Sequence, residues 1–150
     1  MRISSVLLAL LLFGCATSGD KWTTLHTGPF TMRLPADLKQ TPRTSTDSYV
    51  EEFRNSRLDV SFDYGFSANN FEDWPTQTEY EEVAAGDVPG RIGTIHRGFK
   101  SGYAYSTQIA FRETGEKYLT ITAACKTKAD VATARKIFMS VKFKPKEPQE

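Results

Sequence analysis

The feature that most constrains this chain is a side-chain alternation of period two that recurs through residues 22–125. Leu58, Val60, Phe62, Tyr64 and Phe66 fall on one side of an extended segment, with Asp59, Ser61 and Asp63 on the other. Tyr103, Tyr105, Thr107, Ile109 and Phe111 repeat the pattern, as do Leu119, Ile121, Ala123 and Cys125. Such alternation marks antiparallel strands that bury one face and leave the other polar. Residues 49–54 rise, Asn55-Ser56 turn and residues 58–66 return, which reads as a hairpin. Further strands are expected at 22–27, around Phe30, Met32 and Leu34 before Pro35, at 91–97 and at 117–125. Turns are expected at 86–90, 98–102 and 113–115. Residues 36–48 read as a polar loop with at most one helical turn, 67–77 as an irregular excursion, and 79–85 as either a strand or a helical turn.

One segment breaks the pattern. Thr127 is a good N-cap, and Asp130 suits the first turn of a helix over 128–140. Val131, Ala134, Ile137 and Phe138 lie within an arc of roughly 120°, an apolar stripe, while Lys128, Arg135 and Lys136 face outward. Val141 and Phe143 add a closing strand. The small residues Ala104, Ser106 and Ala110 mark a strand face onto which the helix is expected to pack. The fold class is therefore α+β: an antiparallel β-sheet packed with a C-terminal amphipathic helix. The alternative is a helix-capped β-barrel or calyx, whose aromatic faces would line an apolar pocket.

The first residues are of another kind. Arg2 precedes an unbroken apolar run, VLLALLLF, over residues 6–13. Eight residues are too few to span a bilayer, which takes about 20. A positive start, a short apolar centre and a small residue at its end make a secretory signal. Leu12-Phe13-Gly14-Cys15 resembles the lipobox of bacterial lipoproteins, in which an apolar residue stands three before the cysteine and a small one just before it; Phe13 stands where that pattern prefers a smaller side chain. The resemblance implies acylation of the Cys15 thiol and cleavage ahead of it. It also implies the outer membrane, facing the periplasm, if the host is Gram-negative, because Ala16 rather than Asp follows the cysteine. Two or more acyl chains hold a protein at a membrane far better than one.

The expected organisation is a signal peptide at 1–14, a lipidated cysteine and tether at 15–21, a globular domain at 22–144 and a polar tail at 145–150. Removing 14 of the 150 residues leaves 136, and with Arg2 gone the 18 basic side chains equal the 18 acidic ones. Without an overall field, a partner is recognised by local patches or shape, and nucleic acid is not an expected partner. Five tether residues span less than roughly 20 Å at about 3.5 Å each, which keeps the domain near the membrane surface. Trp22 is expected in the core of the first strand.

The stretch RIGTIHRGFKSGYAYSTQIAFRETGEKYLTITAACKTKADVATARKIFMSVKF, with FTMRLP before it, resembles PsbP-like lipoproteins. The resemblance covers residues 28–144 in pattern and implies an antiparallel sheet sandwiched by helices, ending in a helix that returns to a strand. That family has no shared catalytic set, so it implies no site residues.

Chemistry-bearing residues are sparse. His26 and His96 stand 70 residues apart without cysteine or carboxylate neighbours at ligand spacing, so neither a metal nor a cofactor is expected. Asp59 and Asp63 share a strand face about 13 Å apart, too far to share a proton, and read as a solvated face. Glu51-Glu52 and Glu81-Glu82 each split between two faces of a strand. Cys125 reads as a buried apolar filler. The expectation is a noncatalytic, lipid-anchored envelope module, held to the membrane through Cys15 and binding another envelope protein or supporting an assembly. The alternatives are a module for a small apolar ligand or lipid, a hydrolase using Cys125 beside His96, or an enzyme inhibitor presenting residues 67–77.

Overall fold

The computed structural model describes residues 21–66, 74–113 and 117–145. The strands are β1 (Trp22–His26), β2 (Phe30–Pro35), β3 (Lys39–Thr41), β4 (Tyr49–Arg54), β5 (Leu58–Gly65), β6 (Glu79–Ala85), β7 (Val88–Ile95), β8 (Tyr105–Arg112) and β9 (Tyr118–Cys125). Helix α1 (Lys128–Met139) and β10 (Lys142–Phe143) follow. A three-stranded sheet has the order β1-β2-β10, and a seven-stranded sheet the order β3-β4-β5-β9-β8-β7-β6. Every pairing is antiparallel. The described residues thus form two antiparallel sheets and one helix. The large sheet is open, with β3 and β6 at its edges, so the expected alternative of a closed barrel or calyx is not what these strands form.

Register decides which side is inside. Phe62 lies opposite Ile121, and Ile121 opposite Ile109, so the apolar rows of β5, β9 and β8 meet on one face. Phe62, Ile109, Phe111, Leu119 and Ile121 are all essentially inaccessible to solvent. Both α1 and β2 close over this face, in one apolar cluster that includes Phe30, Met32, Ala134, Ile137 and Phe138. Phe30 meets Phe62 edge-on at 5.2 Å, and Phe143 meets Phe111 at 5.6 Å. Such edge-to-face pairs add to the free energy of burial itself. Trp22 is half-buried against this core, with the Arg33 guanidinium over its ring. The aromatic rows of β5 and β8 are therefore core, not the lining of a pocket.

The helix begins as its sequence dictates. The Thr127 hydroxyl accepts from the Asp130 amide, and the Asp130 carboxylate accepts from the Thr127 amide at 3.0 Å, a capping box with aspartate at its third position. At the other end, the Ser140 hydroxyl accepts from the Arg33 amide at 2.8 Å, which ties the helix exit to β2 and directs the chain into β10.

The structure corrects several expectations. Residues 39–41 form an edge strand rather than loop, paired to β4 through backbone bonds that leave no hydrophobic period. Residues 79–85 are a strand. The turn expected over 86–90 occupies only Gly86 and Asp87, with Gly86 at φ 62°. Pro89 is tolerated inside β7 because pairing with β8 starts only at Gly90, so its missing N–H leaves no bond unmade on that side. Phe66 lies past the end of β5 and is 67% exposed. Most telling, α1 does not pack on the Ala104, Ser106 and Ala110 side. It covers the apolar side instead, where burial gains about 25 cal/mol for every Å² removed from water.

Gly90 of β7 lies directly across from Phe111 of β8. A Cβ there would stand 2.5 Å from a ring carbon of Phe111, which is itself wholly buried. Gly90→Ala is therefore expected to cost about 1–3 kcal/mol through displacement of that ring, read as a lower urea midpoint at unchanged slope. An unaltered midpoint would contradict the close packing described.

Candidate functional site

With one face of the large sheet filled by α1 and β2, polar chemistry gathers on its other face, where Asp59, Ser106, Gln108 and Thr120 are themselves buried. Alternation places Glu52 and Arg54 of β4, Asp59, Ser61 and Asp63 of β5, Thr120 and Thr122 of β9, and Ser106 and Gln108 of β8 on that side. The face divides into an ion cluster and a polar cavity.

The ion cluster centres on Asp59, whose side chain is only 2% exposed. Its Oδ2 accepts from Arg54 Nε at 2.8 Å and from Lys100 Nζ at 2.7 Å. Glu52 joins both cations, at 2.9 Å to Arg54 and 3.4 Å to Lys100, with Arg43 at 3.9 Å. Arg54 is placed by register, directly across from Asp59. Lys100 arrives from the connection between β7 and β8, where Gly98 lets the chain pass so close to Tyr103 that a Cβ would overlap its carbonyl oxygen. The Asp59 and Asp63 face is thus not the solvated surface expected from the sequence: Asp59 is buried under cations drawn from two other segments.

Beside this cluster lies a cavity of about 170 Å³ whose lining includes Arg43, Val50, Ser61, Asp63, Gln108 and Thr122. Gln108 is 3% exposed, and its Oε1 accepts from the Thr122 hydroxyl at 3.0 Å. Among the described residues, its buried Nε2 finds no hydrogen-bond partner, and the same holds for Asp63 Oδ1. Buried polar atoms are satisfied in the great majority of cases, so an unpaired donor and acceptor on one cavity wall call for an explanation. Neither Gln108 nor its neighbours Ser61 and Thr122 stood out in the sequence. Their trace there is only that they occupy polar positions of three alternating strands.

The residues singled out from the sequence are scattered. His26 is exposed on β1. His96 is exposed, 3.7 Å from Glu79 and edge-on to Tyr105. Glu51 accepts from the Tyr49 hydroxyl at 2.5 Å, while Glu52 turns to the ion cluster. Glu81 pairs with Arg135 of α1, which holds its carboxyl below the usual range, and Glu82 pairs with Arg91 at 2.6 Å. Both acidic doublets therefore split between faces as the strand geometry requires. Cys125 is wholly buried, and burial, with Asp130 adding to it, pushes its thiol up to about 12. A thiol so placed stays protonated and inert at neutral pH. Cys15 and most of the 67–77 excursion lie outside the described residues. Among the described residues, no three His, Cys, Asp or Glu side chains gather as metal ligands, and no helix is long and apolar enough to cross a membrane.

A larger cleft of about 560 Å³ opens where the β6–β7 turn approaches β10, with Asp87, Arg112 and Lys144 around Val88, Val141 and Phe143. Lys144 Nζ is engaged there by the Thr27 carbonyl at 2.6 Å. No protein-family model matches this chain, and no curated protein matches it in sequence.

Two outcomes follow from these environments. Asp59→Ala removes a buried carboxylate but leaves Arg54 and Lys100 half exposed and able to regain water. The cost is expected to be about 2 kcal/mol, below the loss seen when a fully buried partner is stranded, measured by urea unfolding; a change within error would contradict the cluster's role. The second concerns alkaline pH. The Cys125 thiol, the Tyr64 hydroxyl (through burial and then its bond to Glu113) and the Tyr49 hydroxyl (through Glu51) all have raised pKa values in the fold. Their stabilising contribution is complete below the ordinary values of 9.0 for the thiol and 10.0 for the phenols, and is lost as pH rises toward 12. Urea midpoints should fall through that window; a flat profile would contradict these environments.

Proposed function

We propose that this chain is a lipid-anchored protein of the bacterial cell envelope whose folded part is a noncatalytic binding or assembly module. The observation that carries this reading is the apolar run ending at Gly14-Cys15, followed at once by a few small polar residues and a strand that begins at Trp22. A signal peptide of this length delivers the chain across the inner membrane, and acylation of Cys15 leaves it tethered. The order of strands, one capped helix and a returning strand is in keeping with a PsbP-like sandwich. Tethering at a surface raises the module's effective concentration toward envelope partners. What it presents to them on the polar side of the large sheet is the exposed rim of Arg43, Arg54 and Lys100, since the apolar side is occupied by α1 and β2.

Metabolic labelling with an alkyne fatty acid tests the anchor. The wild-type chain is expected to carry the label and to fractionate with the outer membrane of a Gram-negative host, and Cys15→Ser to lose both. An unlabelled wild type, or one that retains its intact amino terminus in the cytosol, would overturn the reading.

A further inference from the structure

We infer that the cavity on the polar face of the large sheet is a binding site for a neutral sugar unit, held through its hydroxyl groups by Gln108 and Asp63. This inference goes beyond the anchored-module reading and does not rest on it. Its starting point is the pair of unpartnered buried atoms, a donor at Gln108 Nε2 and an acceptor at Asp63 Oδ1, on the lining of one cavity. A bare cation is disfavoured because the amide presents a donor, and a bare anion because Asp63 presents a carboxylate. The ligand must offer both an acceptor and a donor, as a hydroxyl group does.

Spacing asks for more than one such group. Gln108 and Asp63 stand on β8 and β5 with β9 between them. Strands about 4.8 Å apart put their backbones roughly 10 Å from each other. Hydroxyls on different corners of one ring meet both groups without drawing the two side chains together across β9. The cavity, about 170 Å³, has room for a small ring rather than a single water, which takes about 30 Å³. Ser61 and Thr122 add hydroxyls to the lining. Arg43 and Asp63 place one charge of each sign there, which favours a ligand without net charge. A peptide also carries donors and acceptors, but it characteristically joins a sheet at its edge through backbone bonds. Here the unpaired groups are side chains on the face of two interior strands, β8 and β5, and the ion cluster of Asp59, Arg54 and Lys100 ties β5 to β4 and to the β7–β8 connection beside them.

The test uses the full chain in a sugar-free detergent, with the side-chain amide resonances of Gln108 as reporter. Glucose, N-acetylglucosamine and a short N-acetylglucosamine chain are titrated in turn, with N-acetylglycinamide as the peptide probe. The expected result is a saturable shift of the Gln108 amide with at least one sugar, weakened at least about tenfold in Gln108→Met and in Asp63→Ala. Tighter binding of the chain than of the single units assigns the site to a polymer, and equal binding to a free sugar; either supports the inference. No shift with any sugar, a shift only with N-acetylglycinamide, or undiminished sugar binding in both variants would overturn it. The wild-type titration decides the matter even if a variant fails to fold, and its outcome is independent of whether Cys15 is acylated.

Discussion

Phe30 of β2 stands edge-on against Phe62 of β5, and this contact joins the two sheets into one structure. The large sheet cannot bury its inner face unaided, since it is open at β3 and β6. Burial comes from β2 and α1, laid side by side over the rows that run through Phe62, Ile121 and Ile109. Ser140 then fastens the helix exit to β2, and Phe143 returns to touch both Phe30 and Phe111. Each fully buried aliphatic or phenylalanine side chain in such a core contributes about 1.5–3 kcal/mol relative to exposure. The chain thereby commits one face of the large sheet to stability and leaves the other to polar chemistry.

That polar face is organised rather than merely wet. Asp59 lies under Arg54 and Lys100, and Gln108 is almost fully covered while one end of its amide stays unpaired. Three cations, Arg43, Arg54 and Lys100, meet two carboxylates, Glu52 and Asp59, beside that amide, with Asp63 on the cavity lining making the charges equal. Such an arrangement suits recognition by hydrogen bonds more than proton transfer. Cys125, the thiol within the described domain, is sealed on the opposite face.

Much of the fold was legible because the signals were local. The alternation of residues 58–66 set β5 and its inner side, and Thr127 with Asp130 set the start of α1. The misses share a physical cause: each depends on contacts distant in sequence. β3 is three polar residues joined to β4 by backbone bonds, so it has no hydrophobic period to detect. Ala104, Ser106 and Ala110 look like a seat for a helix, yet the helix goes where apolar area is largest, and that is known only once the strand order is known. Asp59 reads as solvated because its cover, Lys100, is 41 residues away. Gln108 is one polar residue in an alternating strand; its neighbours across β9 and β5 turn it into a cavity wall. The likeness of Leu12-Phe13-Gly14-Cys15 to a lipobox rests on the sequence alone, since Cys15 lies outside the described residues.

Native-state hydrogen exchange probes the shared core most directly. If β2, α1 and the central strands β5, β9 and β8 form a single buried unit, their slowest amides exchange with one common opening free energy, equal to that of global unfolding. Opening of α1 or β2 at a distinctly lower free energy, with the large sheet still protected, would contradict the dependence of the fold on that seam.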